Sequence, residues 1–221
     1  MAAPRYKLVY FDVRGKCEPL RWMFAYSGVA FDDHRIKELP YYVSEDPKPE
    51  WTALQPKTPF GAVPVLEVDG KYLAEAGAIA RYLAKPLGLS GADEWEFAQA
   101  DSIICYLSSE FEAPFLEFIR EMDPGKKEEA RAKVLAKLPK ITETIERILQ
   151  ENNSATTGNG FIIGSAVTIA DFFVVNYHEL ADTFLRPGCL DRNKVLTAHR
   201  ERIRALPGIR EFIQKHAHLA F

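Results

Sequence analysis

The sequence contains few cysteines, no long apolar run and no excess of charge of either sign. Its three cysteines, Cys17, Cys105 and Cys189, are far apart and include no CxxC pair, which argues against a disulfide framework. No apolar run approaches the length of a membrane span. The 28 basic and 31 acidic residues leave a net charge of −3, which offers no electrostatic case for binding nucleic acid. The first residues show no apolar stretch preceded by positive charge, so we expect no signal peptide and a location in the reducing cytosol.

The first part of the chain, residues 1–84, alternates short strand and helix signals. Asp69-Gly70, between two apolar runs, is typical of a β-hairpin turn. The pattern predicts a strand, a helix and a strand, then a connection followed by two strands and a helix. The segments that carry these signals are 6–11, 18–28, 30–36, 63–73 and 75–85.

Helical patterns dominate the remainder of the chain. A Pro/Gly-rich linker at 85–92 separates the two parts, so we predict an all-helical domain over 93–221. Pro114 and Pro139 lie inside these patterns and are expected to kink helices or to mark their boundaries. The predicted architecture is a small α/β domain joined to a larger all-α domain.

Four motifs stand in the order and spacing of cytosolic glutathione transferases: YKLVYFDVRGKCEPLR, TPFGAVPVLEVDG, AIARYLAK and VTIADF. Over essentially the whole chain, the sequence resembles the sigma-like group of that family, which also includes haematopoietic prostaglandin D synthases and S-crystallins. The resemblance implies a thioredoxin-like N-terminal domain that binds glutathione, followed by an all-helical C-terminal domain that lines the electrophile site. Pro64 opens the third strand, where a proline is tolerated and is often preceded by a cis bond.

The resemblance assigns the catalytic role to Tyr10, at the end of the first strand. Glutathione transfer needs a thiolate near neutral pH, whereas a free thiol has a pKa of about 8.5. A hydroxyl that donates a hydrogen bond to the sulfur favours the charged form and lowers that pKa. Taken alone, a strand tyrosine is more often half-buried packing. Arg14 is expected to orient glutathione or its thiolate, with Lys16 as a weaker candidate, whereas Cys17 fits a small packed residue.

Six positions match the family's glutathione anchors, namely Trp51, Gln55, Val63, Pro64, Glu75 and Ala76. By resemblance, the backbone of Val63 pairs with the cysteinyl group, and Trp51 and Gln55 hold the glycyl carboxylate. Loop packing is the alternative for Trp51. Glu75 would bind the γ-glutamyl ammonium by a charge-assisted hydrogen bond. The backbone N–H of Ala76, at a helix N-terminus, suits the carboxylate of the same group.

Some positions depart from the family pattern. Lysine is frequent where Gln55 stands, Ala76 lacks the hydroxyl of a serine, and Ser109 stands where the family places an acid from the partner subunit. The connection at 37–51 is several residues longer than usual. Each lost neutral hydrogen bond is worth about 0.5–1.5 kcal/mol, so we expect weaker glutathione binding rather than none. The acids linked to metal activation in prostaglandin synthases are missing, and we expect no metal; their positions fall at Cys105, Ser108 and Ser109.

The second substrate is expected in an apolar cleft between the domains. The predicted lining residues, for which core packing is the alternative, are Val13, Arg14, Phe111, Phe173, Tyr177 and Phe221. The resemblance favours a detoxifying glutathione transferase that acts on small apolar electrophiles as a cytoplasmic homodimer. Two alternatives stay open: a glutathione-dependent prostaglandin D isomerase, and a non-catalytic crystallin-like or ligand-carrying relative.

Overall fold

The protein is described here by a computed structural model that covers residues 6–38, 40, 46–156 and 158–217. Its first part forms a four-stranded sheet in the order β2-β1-β3-β4. The strands are β1 (Tyr6–Phe11), β2 (Phe31–Ile36), β3 (Val65–Val68) and β4 (Lys71–Ala74). β1 is parallel to β2 and antiparallel to β3, and β3 is antiparallel to β4. This mixed sheet confirms the predicted thioredoxin-like arrangement.

The β3–β4 connection is the two-residue hairpin that the sequence predicts. Asp69 and Gly70 both have positive φ, 49° and 78° respectively. A two-residue turn of this type matches the right-handed twist of the strands that it joins, and Asp-Gly is one of the pairs that adopt it at low cost. The register of the hairpin pairs Val68 with Lys71 and Val65 with Ala74.

The other regular elements within the described ranges are helices. Three accompany the sheet: α1 (Glu18–Ser27), α2 (Pro49–Leu54) and α3 (Ala76–Ala84). The helical part contains α4 (Glu94–Leu107), α5 (Ala113–Arg120), α6 (Pro124–Ala155), α7 (Ile169–Leu180), α8 (Lys194–Arg204) and α9 (Ile209–Lys215). Single π-helical turns, Ser108–Glu112 and Ala181–Leu185, follow α4 and α7. The prediction of an all-helical second part is confirmed.

The two prolines within the helical patterns have different outcomes. Pro114 is the second residue of α5, directly after the π-helical turn Ser108–Glu112, so it lies at an element boundary as predicted. Pro139 lies inside the 32-residue helix α6, which continues on both sides of it, so it marks no boundary.

Helix α1 joins the two parts of the molecule. It packs on α3 within the first part and on α7 and α9 of the second. Its apolar side chains Leu20, Trp22 and Phe24 are buried, and the charged Arg21 is buried as well. A β-carbon added at Gly208 would lie 2.2 Å from the carbonyl oxygen of Ala25. Glycine at this position therefore allows the start of α9 to approach the α1 backbone closely.

A buried carboxylate fixes the start of α7. Asp171 is fully buried and accepts hydrogen bonds from the N–H groups of Thr168 (2.8 Å) and Ile162 (2.9 Å). Its Oδ1 also lies 2.8 Å from Nε2 of His199 on α8. This network joins α7 to α8 and to the loop before α7, so the role of Asp171 is structural. None of the helices within the described ranges is long and apolar enough to cross a membrane.

Candidate active site

The sheet topology brings most of the predicted glutathione-site residues to one edge. Because β1 is antiparallel to β3 with Val9 opposite Val65, the end of β1 lies beside the start of β3. Because Val65 is also opposite Ala74, the end of β4 lies at the same edge. The residues placed there by these registers are Tyr10, Val63, Pro64, Glu75 and Ala76.

Tyr10 lies at this edge with its side chain almost entirely buried, at 5% exposure. The following loop folds tightly over it, since a β-carbon added at Gly15 would lie 2.9 Å from Tyr10 Oη. Gly15 has a φ of +46°, in the left-handed region that glycine adopts readily. The guanidinium of Arg21 lies 5.8 Å from the centroid of the Tyr10 ring. Both contacts hold the phenol in a fixed place beside the loop.

Arg21 also fixes the backbone of the loop after β1. Its Nη1 donates to the carbonyl oxygen of Val13 (2.6 Å), and its Nη2 donates to that of Phe11 (3.3 Å). Its Nε donates to Asp33 Oδ1 at 3.1 Å. A buried guanidinium with these partners leaves the loop beside Tyr10 little freedom to move.

A cavity of about 310 Å³ opens beside Tyr10, between the two parts of the molecule. Val13, Gly15 and Lys16 line it from the first part. Apolar side chains form most of the opposite wall: Phe115, Leu116, Phe118, Ile119, Leu180 and Phe184. A concave, largely apolar space next to a buried hydroxyl suits a small hydrophobic molecule.

The predicted lining of this cleft needs correction. Val13 lines the cavity, but Arg14, Phe111, Phe173 and Tyr177 do not. Phe111 packs at 4.7 Å between ring centroids against Tyr177. Both line, together with Phe173, an adjoining gap of about 30 Å³ that shares Lys16, Glu112 and Leu180 with the cavity. Aromatic packing explains Phe111 and Tyr177, and Phe173 is half-buried against the core. Helical spacing alone does not tell core from cleft. The sixth predicted residue, Phe221, lies outside the described residues.

Arg14 lies in an ion-pair cluster that spans the two parts of the molecule. Its Nε is 3.6 Å from Glu18 Oε1, and its Nη2 pairs with Glu179 on α7. Glu179 pairs in turn with Arg204 on α8. Burial is the main cause that lowers the pKa of Arg14, and the nearby positive charge of Arg204 adds to it. Glu179 was not found by sequence reasoning, because the contact depends on how the two parts pack.

Lys16 and Cys17 differ in their surroundings although they are adjacent. Lys16 Nζ lies 2.6 Å from Glu112 Oε1, in an ion pair that also bridges the two parts of the molecule. Cys17 is fully buried, and burial raises the pKa of its thiol to about 12. A buried thiol that stays protonated at neutral pH fits the predicted packing role.

Trp51 and Gln55 lie on α2 and in the turn that follows it. The Trp51 and Phe11 rings pack edge to face with their centroids 5.4 Å apart, and Phe11 directly follows Tyr10 in the sequence. The carboxylate of Glu38 accepts the backbone N–H groups of Glu50 (2.7 Å) and Trp51 (2.9 Å), which anchors the start of α2. Gln55 is exposed, and its Nε2 donates to the Gly61 carbonyl at 3.1 Å.

The two remaining pairs of predicted anchors flank β3 and β4. The Val63–Pro64 peptide bond is cis, and Pro64 is buried directly before β3. Glu75 follows β4 with a φ of 73°, and its side chain is exposed. A positive φ in a residue other than glycine is costly and concentrates at functional sites. Ala76 is the buried first residue of α3, so its N–H is among the free donors of that helix.

The positions at which the resembled prostaglandin synthases carry metal-linked acids hold neutral side chains. Ser109 Oγ donates to the Tyr106 carbonyl (3.2 Å), and Arg81 Nη2 lies 3.2 Å from Cys105 Sγ. Elsewhere in the described ranges, one His/Asp cluster has potential ligand atoms within 4.8 Å of one another, namely His178, Asp182 and Asp191. Arg200 lies 2.9 Å from Asp182 and 3.4 Å from Asp191, so this cluster already contains its cation.

Comparison with known proteins gives matches over both parts of the chain. The family model for the glutathione S-transferase N-terminal domain matches residues 6–85, and that for the C-terminal domain matches residues 109–216. Glutathione S-transferase 1 of Ascaris suum is 35% identical over 216 residues, covering 95% of this chain and 96% of the relative.

Two solved structures extend these matches to the fold. The prostaglandin synthase D of Nilaparvata lugens has a TM-score of 0.81 and 30% identity, covering 96% of this chain and 98% of that one. A glutathione S-transferase of Necator americanus, described as monomeric, has a TM-score of 0.79 and 31% identity, with coverage of 96% and 97%.

Proposed function

Because this chain belongs to the glutathione S-transferase family, we propose that it binds glutathione, stabilises its thiolate with Tyr10 and conjugates it to small apolar electrophiles. The observation that carries this proposal is the placement of Tyr10. Its side chain is buried at the sheet edge and lines the apolar cavity of about 310 Å³. A hydrogen-bond donor in that place lies next to both a bound thiol and a bound electrophile.

The proposed chemistry is a displacement or an addition by sulfur. The Tyr10 hydroxyl donates a hydrogen bond to the glutathione sulfur, which stabilises the thiolate and lowers the pKa of the thiol, so that the thiol proton passes to water. The thiolate then forms a bond from sulfur to an electrophilic carbon of the second substrate. In a displacement, the leaving group departs with its electron pair; in an addition to an enone, the resulting enolate takes a proton from water.

The glutathione anchors are proposed at the edge where the sheet ends. The backbone of Val63, positioned by Pro64, pairs with the cysteinyl group. Glu75 accepts the ammonium of the γ-glutamyl group, and the N–H of Ala76 meets its carboxylate. These roles are supported by the shared edge and by the free N–H groups at the start of α3.

Trp51 and Gln55 are proposed to hold the glycyl carboxylate. The Trp51 ring lies against Phe11, next to Tyr10, which supports its place in the site. Arg14 is proposed to orient the thiolate through its charge, from a position fixed by Glu18 and Glu179. It would act as a positioning residue, since its guanidinium is already engaged by carboxylates.

Turnover of 1-chloro-2,4-dinitrobenzene with glutathione tests this function. We expect the wild-type protein to form the conjugate and Tyr10→Phe to reduce kcat/KM by about 10²-fold, the scale of a lost transition-state donor. Tyr6→Phe is the matched control, because Tyr6 is also buried in β1 but does not line the cavity. Equal activity of wild type and Tyr10→Phe would reject the catalytic role, and no activity in either would favour the crystallin-like or carrier alternative.

Glutathione-dependent isomerisation of a prostaglandin endoperoxide is a second candidate. Its support is the 30% identity to the Nilaparvata lugens prostaglandin synthase D over 96% of this chain. The same thiolate would attack one peroxide oxygen, forming an S–O bond while the O–O bond breaks and the other oxygen leaves as an alkoxide that takes a proton. Loss of the proton from the carbon that bears the S–O group then forms the ketone and expels the thiolate, so the reaction consumes no glutathione. Formation of a D-type prostaglandin above the uncatalysed rate would establish it. The neutral side chains of Cys105, Ser108 and Ser109 predict that added magnesium will not change that rate.

We also propose that the protein is a cytoplasmic homodimer, as members of the family commonly are. Membership of the family is the support for a dimer, although the Necator americanus relative is described as monomeric. Light scattering on the purified protein distinguishes a mass of 25.0 kDa from its double. Fractionation of the source cells tests the location.

A further inference from the structure

A second pocket, the α8 pocket, has a volume of about 310 Å³ and opens on the helical part of the molecule. Its walls come from the last two turns of α6, the loop between α6 and α7, and one side of α8. None of its described lining residues also lines the cavity beside Tyr10. The α8 pocket is therefore distinct from the proposed active site, and the transferase function assigns it no role.

Two positive charges line the α8 pocket, and none of its described lining residues is acidic. The charges belong to Lys194 and Arg202, which are separated by about 12 Å along the helix axis. Within the part of the chain that the structure describes, neither side chain forms an ion pair or a hydrogen bond. The other two arginines of α8, Arg200 and Arg204, both pair with acids. Lys194 and Arg202 are therefore uncompensated cations in a concave place, within joint reach of one anionic group.

The guanidinium of Arg202 is held in place by the backbone of the loop before α7. A β-carbon added at Gly160 would lie within 2.8 Å of its Nη1, Cζ and Nε atoms, so only glycine permits this contact. Gly160 is itself fixed by Asn153, whose Oδ1 accepts the Gly160 N–H at 2.8 Å. Asn153 lines the pocket, and its Nδ2 has no acceptor among the described residues. A guanidinium held by packing, with its N–H groups unused, is preorganised for an oxyanion.

A buried histidine in the wall of the α8 pocket has one unsatisfied nitrogen. His199 is 2% exposed, and its Nε2 lies 2.8 Å from Asp171 Oδ1. Its Nδ1 is buried and has no hydrogen-bond partner within the described ranges. Buried polar atoms without a partner are uncommon in native proteins, and a bound ligand or water is a usual explanation. This atom is a second, independent indication that the pocket takes a polar ligand.

We propose that the α8 pocket binds a small phosphomonoester, with Arg202 and Lys194 on the phosphate group. A guanidinium binds two phosphate oxygens side by side, and an ammonium adds a compact charge. A phosphate has three acceptor oxygens, enough for both cations and for Nδ2 of Asn153, whereas a carboxylate has two. Leu149 and Val195 also line the pocket and give the organic part of the ligand an apolar contact. This inference does not depend on the proposed transferase function.

Calorimetric titration of the full chain with phenyl phosphate tests the site. We expect phenyl phosphate to bind more tightly than benzoate, which has the same ring with a carboxylate, and more tightly than inorganic phosphate, which lacks the ring. Arg202→Gln should weaken the binding of phenyl phosphate by about tenfold, the scale of one charge-assisted hydrogen bond. S-hexylglutathione, which should fill the proposed active site, should leave this affinity unchanged.

Two further variants separate the site from general charge. Arg192→Gln is the matched control, because Arg192 is an exposed arginine just before α8 that does not line the pocket, so it should keep the wild-type affinity. Gly160→Ala keeps every charge but places a methyl group where the Arg202 guanidinium lies, so it should weaken binding. Thermal unfolding of each variant confirms that the protein tested is folded.

Four results would overturn the inference. The first is no binding of phenyl phosphate to the wild type, and the second is an equal affinity in wild type and Arg202→Gln. The third is an equal loss in Arg192→Gln, because general positive charge would then account for the binding. The fourth is displacement by S-hexylglutathione, which would place the ligand in the cavity beside Tyr10. Equal affinities for phenyl phosphate and benzoate would reject the phosphate class, and equal affinities for phenyl phosphate and inorganic phosphate would reject the ester.

Discussion

At the residue scale, the close contact between Tyr10 and the loop that follows it makes glycine necessary at position 15. The position combines a positive φ with a neighbour at 2.9 Å from any added β-carbon. Both properties follow from the tertiary approach of the loop to the phenol. From the sequence, Gly15 is only one of 13 glycines, so this role could not be predicted.

We predict that Gly15→Ala lowers conjugating activity by displacing the Tyr10 hydroxyl. Gly28→Ala is the matched control, because Gly28 also has a positive φ (68°) but has no atom within 4 Å of an added β-carbon. Each variant should lose about 1 kcal/mol of stability from the left-handed backbone. Thermal unfolding and kcat/KM, measured on both, should show similar stability and a selective loss of activity in Gly15→Ala. Equal activities would mean that the loop yields without moving the phenol.

A second residue-scale prediction concerns pH. His178 is buried, and burial together with the positive charge of Arg200 lowers its pKa to about 4. In the unfolded chain this histidine has its ordinary pKa of about 6.5. Between pH 6.5 and about 4 the unfolded chain therefore binds a proton at this site and the folded chain does not. Stability from this site is present above pH 6.5 and is lost as the pH falls from 6.5 to about 4.

Denaturant unfolding from pH 7 to pH 4 measures this loss. His178→Gln keeps an acceptor for Arg200 but does not titrate, so its free energy of unfolding should fall less steeply over the same range than that of the wild type. Parallel curves would show that His178 does not contribute to the acid sensitivity.

At the element scale, local signals predicted the secondary structure well. Asp69-Gly70 forms the expected hairpin turn, and Pro114 marks the start of α5. Pro139 shows the limit of such signals, because α6 continues on both sides of it, with Leu138 and Ile141 buried next to it. The π-helical turns after α4 and α7 have no pattern that could have predicted them. They shift the helical register near the cavity, and Glu112 and Phe184, which line it, lie in these turns.

At the scale of the whole molecule, site residues within one domain could be predicted from the sequence, whereas those at the interface between the two parts could be predicted only in part. The residues at the sheet edge were predicted from motifs within the first domain, and the strand registers bring them together. The cavity lining was only partly predicted, with Val13 correct and Phe111 and Tyr177 in the core. Glu179 was missed, because its ion pairs with Arg14 and Arg204 join segments that are distant in sequence. The domain boundaries at 84 and 93 stay predictions.

The ion pair between Arg14 and Glu179 is expected to couple the two parts energetically. Each residue is largely buried and has a further partner, Glu18 for Arg14 and Arg204 for Glu179. Removing one member leaves the other with its second partner only, so Arg14→Gln and Glu179→Gln should each destabilise the protein by about 1.5 kcal/mol, the scale of one lost hydrogen bond to a charged group. The double variant should lose less than the sum of the two. Additive losses in a double-mutant cycle of unfolding free energies would show that the pair carries no coupling.

The ultraviolet absorbance of bound glutathione, followed as the pH is raised, reports whether Tyr10 stabilises the thiolate. We predict that the wild type forms bound thiolate well below the free thiol's pKa of about 8.5, whereas Tyr10→Phe binds glutathione but forms thiolate only near that value. If the bound thiol of the wild type titrates as the free thiol does, or if glutathione bound to Tyr10→Phe titrates as it does on the wild type, Tyr10 does not stabilise the thiolate.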